Sequence, residues 1–388
     1  MDIQLYPGPL SGTVTPPPSK SQSHRLLIAG ALAGEGCYLR HLAESRDIDA
    51  TRRCLDALFS PVDEPLLDCG ESGSTLRFLL PLALVLRGGG RFTGQGRLLD
   101  RPLGPYEAIF QAQDVDCRRW ENCLELTGNL SPGVYALPGD VSSQFVTGLL
   151  FALPLLWADS EIRLTSPLES AAYVDMTLEV LRTFRVQAQW LPDRSGLWVP
   201  GNQRYTPAQA SAEGDWSQAA FWFAANFLDS ALRIEGLRYD SAQGDRRVLE
   251  FSNRLAQCGD VELDLSDCPD LVPPLAVMAA TRTGVTRFSH IARLRLKESD
   301  RLSSTAAMIS ALGGQVEIQA DSLLFRGVPR LTGGVADGAN DHRIVMAAAI
   351  AATHCTGPVT ILGAQAVSKS YPAFFDEFQR LGGMLRVL

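Results

Sequence analysis

In a chain of 388 residues with 35 Lys plus Arg, only Lys20, Lys297 and Lys369 are lysine. They stand in Ser19-Lys20-Ser21, Lys297-Glu298 and Ser368-Lys369-Ser370. Arginine can serve any generic surface charge. A position that stays lysine therefore points to a compact ammonium, either as a point charge on an anion or as a carrier of a proton. Lys297 and Glu298 lie side by side in Leu294-Arg295-Leu296-Lys297-Glu298-Ser299-Asp300-Arg301-Leu302. A charged Lys beside a Glu that holds a proton is a coupled pair suited to acid–base work. An isolated charged turn is more often a solvated ion pair; the scarcity of lysine favours the chemical reading.

The elements that must position these residues follow from local pattern. The alternation Arg293-Leu294-Arg295-Leu296 predicts a strand. Ser303–Leu312 predicts a helix, with Ser299 or Asp300 at its start as the cap. The segment Pro16–Arg25 is a proline stop and a serine-rich turn before the apolar Leu26–Ala33. The same phrase recurs at Gly70–Thr75, Gly139–Gln144, Glu213–Ser217, Cys268–Asp270 and Gly338–Arg343, each turn preceding an almost wholly apolar stretch. A helix apolar on every side is a buried helix, and recurrence at this spacing calls for a repeated supersecondary unit. Strand-like stretches lie between them at 161–164, 232–234, 261–265, 286–289, 316–319, 323–325 and 359–362, with amphipathic helices at 174–183, 248–257 and 373–381. The expected class is α+β, with six similar units, three per domain, and buried helices covered by sheets. A domain change is expected near 201–213, a polar stretch containing Pro. Helix starts turned toward one point would form an anion site, through their free N–H groups and their dipoles.

Composition narrows the function classes. The chain is 46% hydrophobic and 20% charged, with a net charge of −8, which argues against a nucleic-acid surface. Its 8 cysteines are scattered singly, with no zinc spacing, as expected of core thiols in a reducing compartment. The N-terminus has no signal-peptide pattern, and the apolar runs are too short to span a bilayer. A soluble, cytoplasmic protein is expected.

Several motifs then stand in order: Pro18–Arg25, Leu98–Gly104, Val141–Phe145, Tyr173–Thr177, Leu296–Leu302, Asn340–Arg343 and Ser368–Pro372. Together they resemble the 3-phosphoshikimate 1-carboxyvinyltransferase (EPSP synthase) family from residue 16 to 372. The resemblance implies transfer of the enolpyruvyl group of phosphoenolpyruvate to the 5-hydroxyl of 3-phosphoshikimate, in the shikimate route to aromatic amino acids. It implies a two-domain enolpyruvyl transferase fold of six βαβαββ-type repeats with the active site in the interdomain cleft. It also implies a discontinuous first domain, 1–18 plus 213–388, and a second domain, 19–212. By motif position, Lys20, Ser21, Arg25, Ser142, Ser143, Gln144, Ser170, Tyr173, Asp270 and Lys297 would hold 3-phosphoshikimate. Lys20, Gly73, Arg101, Gln144, Arg301, Arg343 and Lys369 would hold phosphoenolpyruvate. Asp270 is the candidate base, and Glu298 and Lys20 are candidate acids. No metal and no cofactor is expected, and the partners are the two small-molecule substrates of a monomer, with no nucleic acid and no membrane.

Two departures from the family pattern bear on binding: Glu71 stands where Asn is usual in a Gly-Asn-x-Gly-Thr turn, and Arg293 stands where many members carry Asn. Glu71 would repel phosphoenolpyruvate and its mimic glyphosate unless turned away or paired, with Arg77 as one partner. Two rivals remain. One is the transferase acting on UDP-N-acetylglucosamine, whose reactive Cys has no counterpart in 94–102. The other is a non-catalytic anion-binding relative, against which Lys20, Asp270 and Glu298 together argue. His24 and His342 read as caps or supporting donors, and the aromatic stretch 216–227 as core.

Overall fold

A computed structural model describes residues 1–120 and 122–388. The chain forms two compact units, Met1–Ser19 with Glu213–Leu388, and Lys20–Ala212.

In the first unit the helices Trp216–Phe227, Val272–Thr281 and His342–Ala352 pack on one another. Every residue of His342–Ala352 is buried, so the small Ala-rich sequence lets neighbouring backbones come close. Around them lie two four-stranded sheets. One is built by Val261–Asp264, Val285–Ser289, Ser322–Arg326 and Gln315–Ile318 in that spatial order. The other runs Gly334–Asp337, Val359–Leu362, Ile3–Tyr6, Met384–Val387. The N-terminal strand thus lies inside a sheet of the C-terminal part, with Ile3 opposite both Ile361 and Val387. Ser11–Val14 pairs in parallel with Ala231–Ile234. The aromatic helix is core: Trp222 stacks on Phe374 at 5.2 Å and Trp216 on Phe223 at 6.0 Å.

The second unit repeats the plan. Its four-stranded sheets run Leu66–Asp68, Gly89–Thr93, Cys123–Thr127, Asp116–Trp120, and Gln189–Trp190, Gly196–Val199, Ser160–Leu164, Val134–Leu137. Tyr38–Arg40 pairs in parallel with Gln209–Ser211. In each four-stranded sheet a parallel pair brackets a buried helix; in three of them two antiparallel strands that follow in the chain complete a βαβαββ run, and in the other Ile3–Tyr6 takes one of those two places. The helices Gly73–Arg87 and Ser143–Ala152 cross closely because Gly148 has no side chain; a Cβ there would fall on the Arg77 carbonyl. No helix among the described residues is long and apolar enough to cross a membrane.

The expected strand at 293–296 is not formed. Ala292–Leu296 is a 3₁₀ helix, closed by Leu294 N–H on the Ile291 carbonyl at 3.0 Å and Lys297 N–H on Leu294 at 3.3 Å. The preceding strand stops at Ser289, and His290 takes a left-handed φ of 58°. Ile291 and Leu294 are the buried residues, three apart, whereas Leu296 is 38% exposed. The burial period is helical, and the Arg–Leu alternation is too short to enforce a strand. Lys297 and Glu298 therefore leave a 3₁₀ turn. Of the two candidate caps, Asp300 caps Arg301–Ala311, its Oδ1 accepting Ser303 N–H at 3.1 Å.

Candidate active site

The polar helix starts of the first unit share one ion-pair network. Asp270 lies in the 3₁₀ turn Pro269–Leu271 that leads into Val272–Thr281. Its Oδ1 accepts Arg301 Nη1 at 2.8 Å and its Oδ2 accepts Arg343 Nη2 at 2.8 Å. Lys297 Nζ stands 3.9 Å from Oδ1. Burial pushes the Asp270 carboxyl up, but Arg343, Lys297 and Arg301 outweigh it and hold the group well below the usual carboxylate range. Burial lowers the Lys297 ammonium to about 8, against the opposing pull of Asp270.

Arg301 is the hub. It is 1% exposed and also donates to Glu298 Oε2 and, through Nε at 2.8 Å and Nη2 at 3.2 Å, to both oxygens of Asp341. Burial disfavours its charge, but Asp341, Glu298 and Asp270 more than compensate and raise its pKa. Asp341 in turn accepts Ser299 Oγ–H at 3.1 Å and caps His342–Ala352 through Arg343 N–H at 3.0 Å. Lys369 ends the 3₁₀ segment Ala364–Lys369, and its Nζ donates to the Asn340 carbonyl at 2.7 Å, one residue from Asp341. His342 is buried beside them.

The second unit gathers its own helix starts. Lys20 opens Lys20–Ala33, and its Nζ donates to Asp47 Oδ2 at 2.9 Å. Ser21 follows it, and its carbonyl accepts Arg25 Nη1 at 2.7 Å. Arg25 is 2% exposed; its other nitrogens reach Thr177 Oγ1 at 2.8 Å, the Tyr173 carbonyl at 3.0 Å and Thr147 Oγ1 at 3.3 Å. It ties three helices together and fixes Tyr173 in the first turn of Ala171–Thr183. Ser170, just before that helix, is buried at a left-handed φ of 59°. Ser142 caps Ser143–Ala152, and Ser143 is its buried first residue. Gln144 accepts Arg77 Nη1 at 2.7 Å and donates to Ser74 Oγ at 2.9 Å, joining two helix starts. The second Arg77 nitrogen goes to the Pro102 carbonyl at 3.2 Å.

Gly73 is the first residue of Gly73–Arg87, and the Arg101 guanidinium lies against it; an added Cβ would stand 2.5 Å from Arg101 Nη1. Glu71 turns toward the next loop, since a Cβ on Gly96 would be 3.0 Å from its Oε2. His24 is no cap. It is buried within the helix, its Nδ1 2.7 Å from Thr51 Oγ1, and burial, Lys20 and Arg25 hold it well below its ordinary pKa and so neutral. Arg293 donates to the Ser266 carbonyl.

Sequence reasoning assigned no role to Asp341 or Asp47, which hold the assigned cations Arg301 and Lys20 in place, and it offered Arg77 only as a partner for Glu71, whereas Arg77 holds Gln144. Asp341 carried a signal: a polar residue before the apolar run 344–353 is an N-cap position. Asp47 carried none, being an ordinary acid in the first turn of the amphipathic Arg46–Phe59. Each unit offers fixed cations and helix N-termini for anionic groups.

Comparison with known proteins agrees over nearly the whole chain. The family model for EPSP synthase (3-phosphoshikimate 1-carboxyvinyltransferase) matches residues 6–378. The 3-phosphoshikimate 1-carboxyvinyltransferase of Clostridium kluyveri is 40% identical, with 98% of this chain and 97% of that protein covered. The Clostridium acetobutylicum protein of the same name is 38% identical, with the same coverages of 98% and 97%. An EPSP synthase structure from Acinetobacter baumannii superposes at TM-score 0.80 and 21% identity, covering 100% of both chains. The enolpyruvyl transferase NikO from Streptomyces tendae superposes at TM-score 0.79 and 16% identity, covering 99% of this chain and 98% of that one, a likeness of fold. The chain belongs to the EPSP synthase (3-phosphoshikimate 1-carboxyvinyltransferase) family.

Proposed function

We propose that the chain transfers the carboxyvinyl group of phosphoenolpyruvate to the 5-hydroxyl of 3-phosphoshikimate and releases inorganic phosphate. The observation that carries this reading is the shared identity with curated enzymes of that name along 98% of the chain. The chemistry of the helix starts supports it. Both substrates carry a phosphate and a carboxylate, and Lys20, Ser21, Arg25, Ser142, Ser143, Gln144, Ser170 and Tyr173 are assigned to 3-phosphoshikimate, with Asp270 and Lys297. Gly73, Arg101, Gln144, Arg301, Arg343 and Lys369 are assigned to phosphoenolpyruvate, with Lys20.

In the addition step the 5-oxygen bonds to C2 of phosphoenolpyruvate, Asp270 takes the hydroxyl proton, and C3 receives a proton from Glu298 or Lys20. In the elimination step C3 returns a proton to the group that supplied it, the C2–O bond to phosphate breaks, the leaving phosphate takes the proton that Asp270 had accepted, and the alkene re-forms. An Asp270 pinned by three cations is too weak a base for a hydroxyl. The reading therefore requires substrate anions to draw Arg343 and Arg301 off it, which raises its basicity when both substrates are present. The assignment also takes the chain as a cytoplasmic monomer.

The test is phosphate release from purified protein. It is expected only when both substrates are present, with none when UDP-N-acetylglucosamine replaces 3-phosphoshikimate. Release without an acceptor, or with the nucleotide sugar alone, would overturn the proposal.

A further inference from the structure

Behind the Asp270 turn lies a carboxyl that the reaction above does not use. Asp245 sits in the 3₁₀ turn Gly244–Arg247, is 2% exposed, and accepts the Ser217 hydroxyl from the start of Trp216–Phe227. The two turns are joined: the Cys268 thiol donates to the Gly244 carbonyl at 3.2 Å, two residues before Asp270 and one before Asp245. Gln243 fixes the turn from the other side, its Oε1 accepting Trp216 N–H at 3.0 Å and its Nε2 donating to the Gly214 carbonyl at 2.9 Å. The turn that carries Asp245 is therefore tied to the turn that carries Asp270, the acceptor of Arg343.

We propose that Asp245 is a positioning residue for the Asp270–Arg343 pair: its buried carboxyl, fixed by Ser217, competes with Asp270 for the charge of the Arg343 guanidinium. The inference rests on the proposed reaction, in which Arg343 meets the phosphoenolpyruvate anion.

The groups facing Asp245 set its behaviour. Ser217 and Asp215 come from the start of Trp216–Phe227, Asp270 and Cys268 from the turn before Val272, and Arg343 from the start of His342–Ala352; Arg246 and Arg247 follow on its own turn. Burial first, and then Asp270, push the Asp245 carboxyl up to about 7, against Arg343 and the Ser217 hydrogen bond. Below that pH Asp245 is neutral and leaves Arg343 to Asp270 and to an incoming anion. Above it, a second buried carboxylate holds Arg343 and makes the surroundings more negative, so an anionic substrate binds less well.

The experiment compares wild type with Asp245→Asn, which keeps an acceptor for Ser217 but cannot ionise. The KM for phosphoenolpyruvate is measured from pH 6 to pH 8. Ionisation of the substrate itself is common to both proteins and cancels in the ratio. The ratio of wild-type to variant KM is expected to rise about fivefold across that range, with kcat moving much less. Ser217→Ala removes a hydrogen bond that favours the ionised carboxyl, so the midpoint of the wild-type rise should move to higher pH. Superimposed pH profiles, or a loss confined to kcat, would overturn the proposal.

A second readout needs no turnover. A carboxyl whose folded pKa lies above its unfolded value lowers stability as pH rises from the unfolded value toward the folded one. The Tm advantage of Asp245→Asn over wild type should therefore widen from pH 5 to pH 7 and stay level above. A constant offset would refute the titrating role even if the protein catalysed a different reaction. Wild type that releases no phosphate while the Tm difference still widens would instead count against the proposed reaction alone.

Discussion

Asp341→Asn is the sharpest test of how the first unit holds its arginines. Both oxygens of Asp341 face Arg301: Oδ2 accepts Nε at 2.8 Å with Ser299 Oγ at 3.1 Å, and Oδ1 accepts Nη2 at 3.2 Å with Arg343 N–H at 3.0 Å. An amide in either orientation turns an NH₂ group onto an Arg301 N–H, so one donor meets another and a buried charge is lost. Removing one partner of a buried pair costs about 3–5 kcal/mol. Arg301 keeps Asp270 and Glu298, and Asn still caps a helix, which places the loss near the lower end, about 3 kcal/mol. For a unit of this size that corresponds to a fall in Tm of about 6–12 °C. The assay is guanidinium and thermal unfolding followed by the fluorescence of Trp216 and Trp222, both fully buried in this unit. A variant within about 1 kcal/mol of wild type would mean that Asp341 does not carry the Arg301 charge, and the network described above would be wrong.

Three further outcomes are expected. Gly73→Ala places a Cβ 2.5 Å from Arg101 Nη1; Arg101 must then shift by about 1 Å, and the KM for phosphoenolpyruvate should rise by about 10–100-fold while that for 3-phosphoshikimate stays near wild type. Equal losses for both substrates would contradict the assignment of Arg101. Burial sets Lys297 at about 8, so kcat/KM should fall as pH rises through that value, and the kcat limb should lie higher because bound anions hold the proton. Lys297→Arg should remove the limb, and its persistence would rule Lys297 out as the titrating group. The folded pKa of Lys297 lies below its unfolded value of about 10.4, so its contribution to stability grows only as pH rises from about 8 toward 10.4. Glu71→Asn should lower both the KM for phosphoenolpyruvate and the inhibition constant for glyphosate; if neither changes, the Glu71 carboxylate does not reach the anion site.

The helix starts were legible because they combine two strong local signals. A capping residue followed by a run apolar on every side leaves few alternatives to a buried helix, as at Ser72, Ser142, Asp215 and Asp341. The strands were legible where β-branched residues cluster, as in Val359–Leu362. The expected strand at 293–296 failed because the segment is too short for alternation to outweigh burial of Ile291 and Leu294, three apart. Pairing across long separations was not legible. Nothing local tells Arg301 that its main partner lies forty residues on at Asp341, or tells Lys20 to take Asp47. Likewise, the alternating residues of Ile3–Tyr6 do not say that they will lie between two strands from the far end of the chain. Such contacts are set by how the buried helices and sheets stack.

The central claim, carboxyvinyl rather than phosphoryl transfer, is tested most directly by isotope position. Phosphoenolpyruvate labelled with ¹⁸O in the oxygen bridging C2 and phosphorus is incubated with 3-phosphoshikimate and the protein, and the released phosphate is analysed by ³¹P NMR. Cleavage of the C2–O bond predicts that the label leaves with the inorganic phosphate. Unlabelled phosphate, with ¹⁸O retained on the three-carbon fragment, would show cleavage at phosphorus and contradict the account.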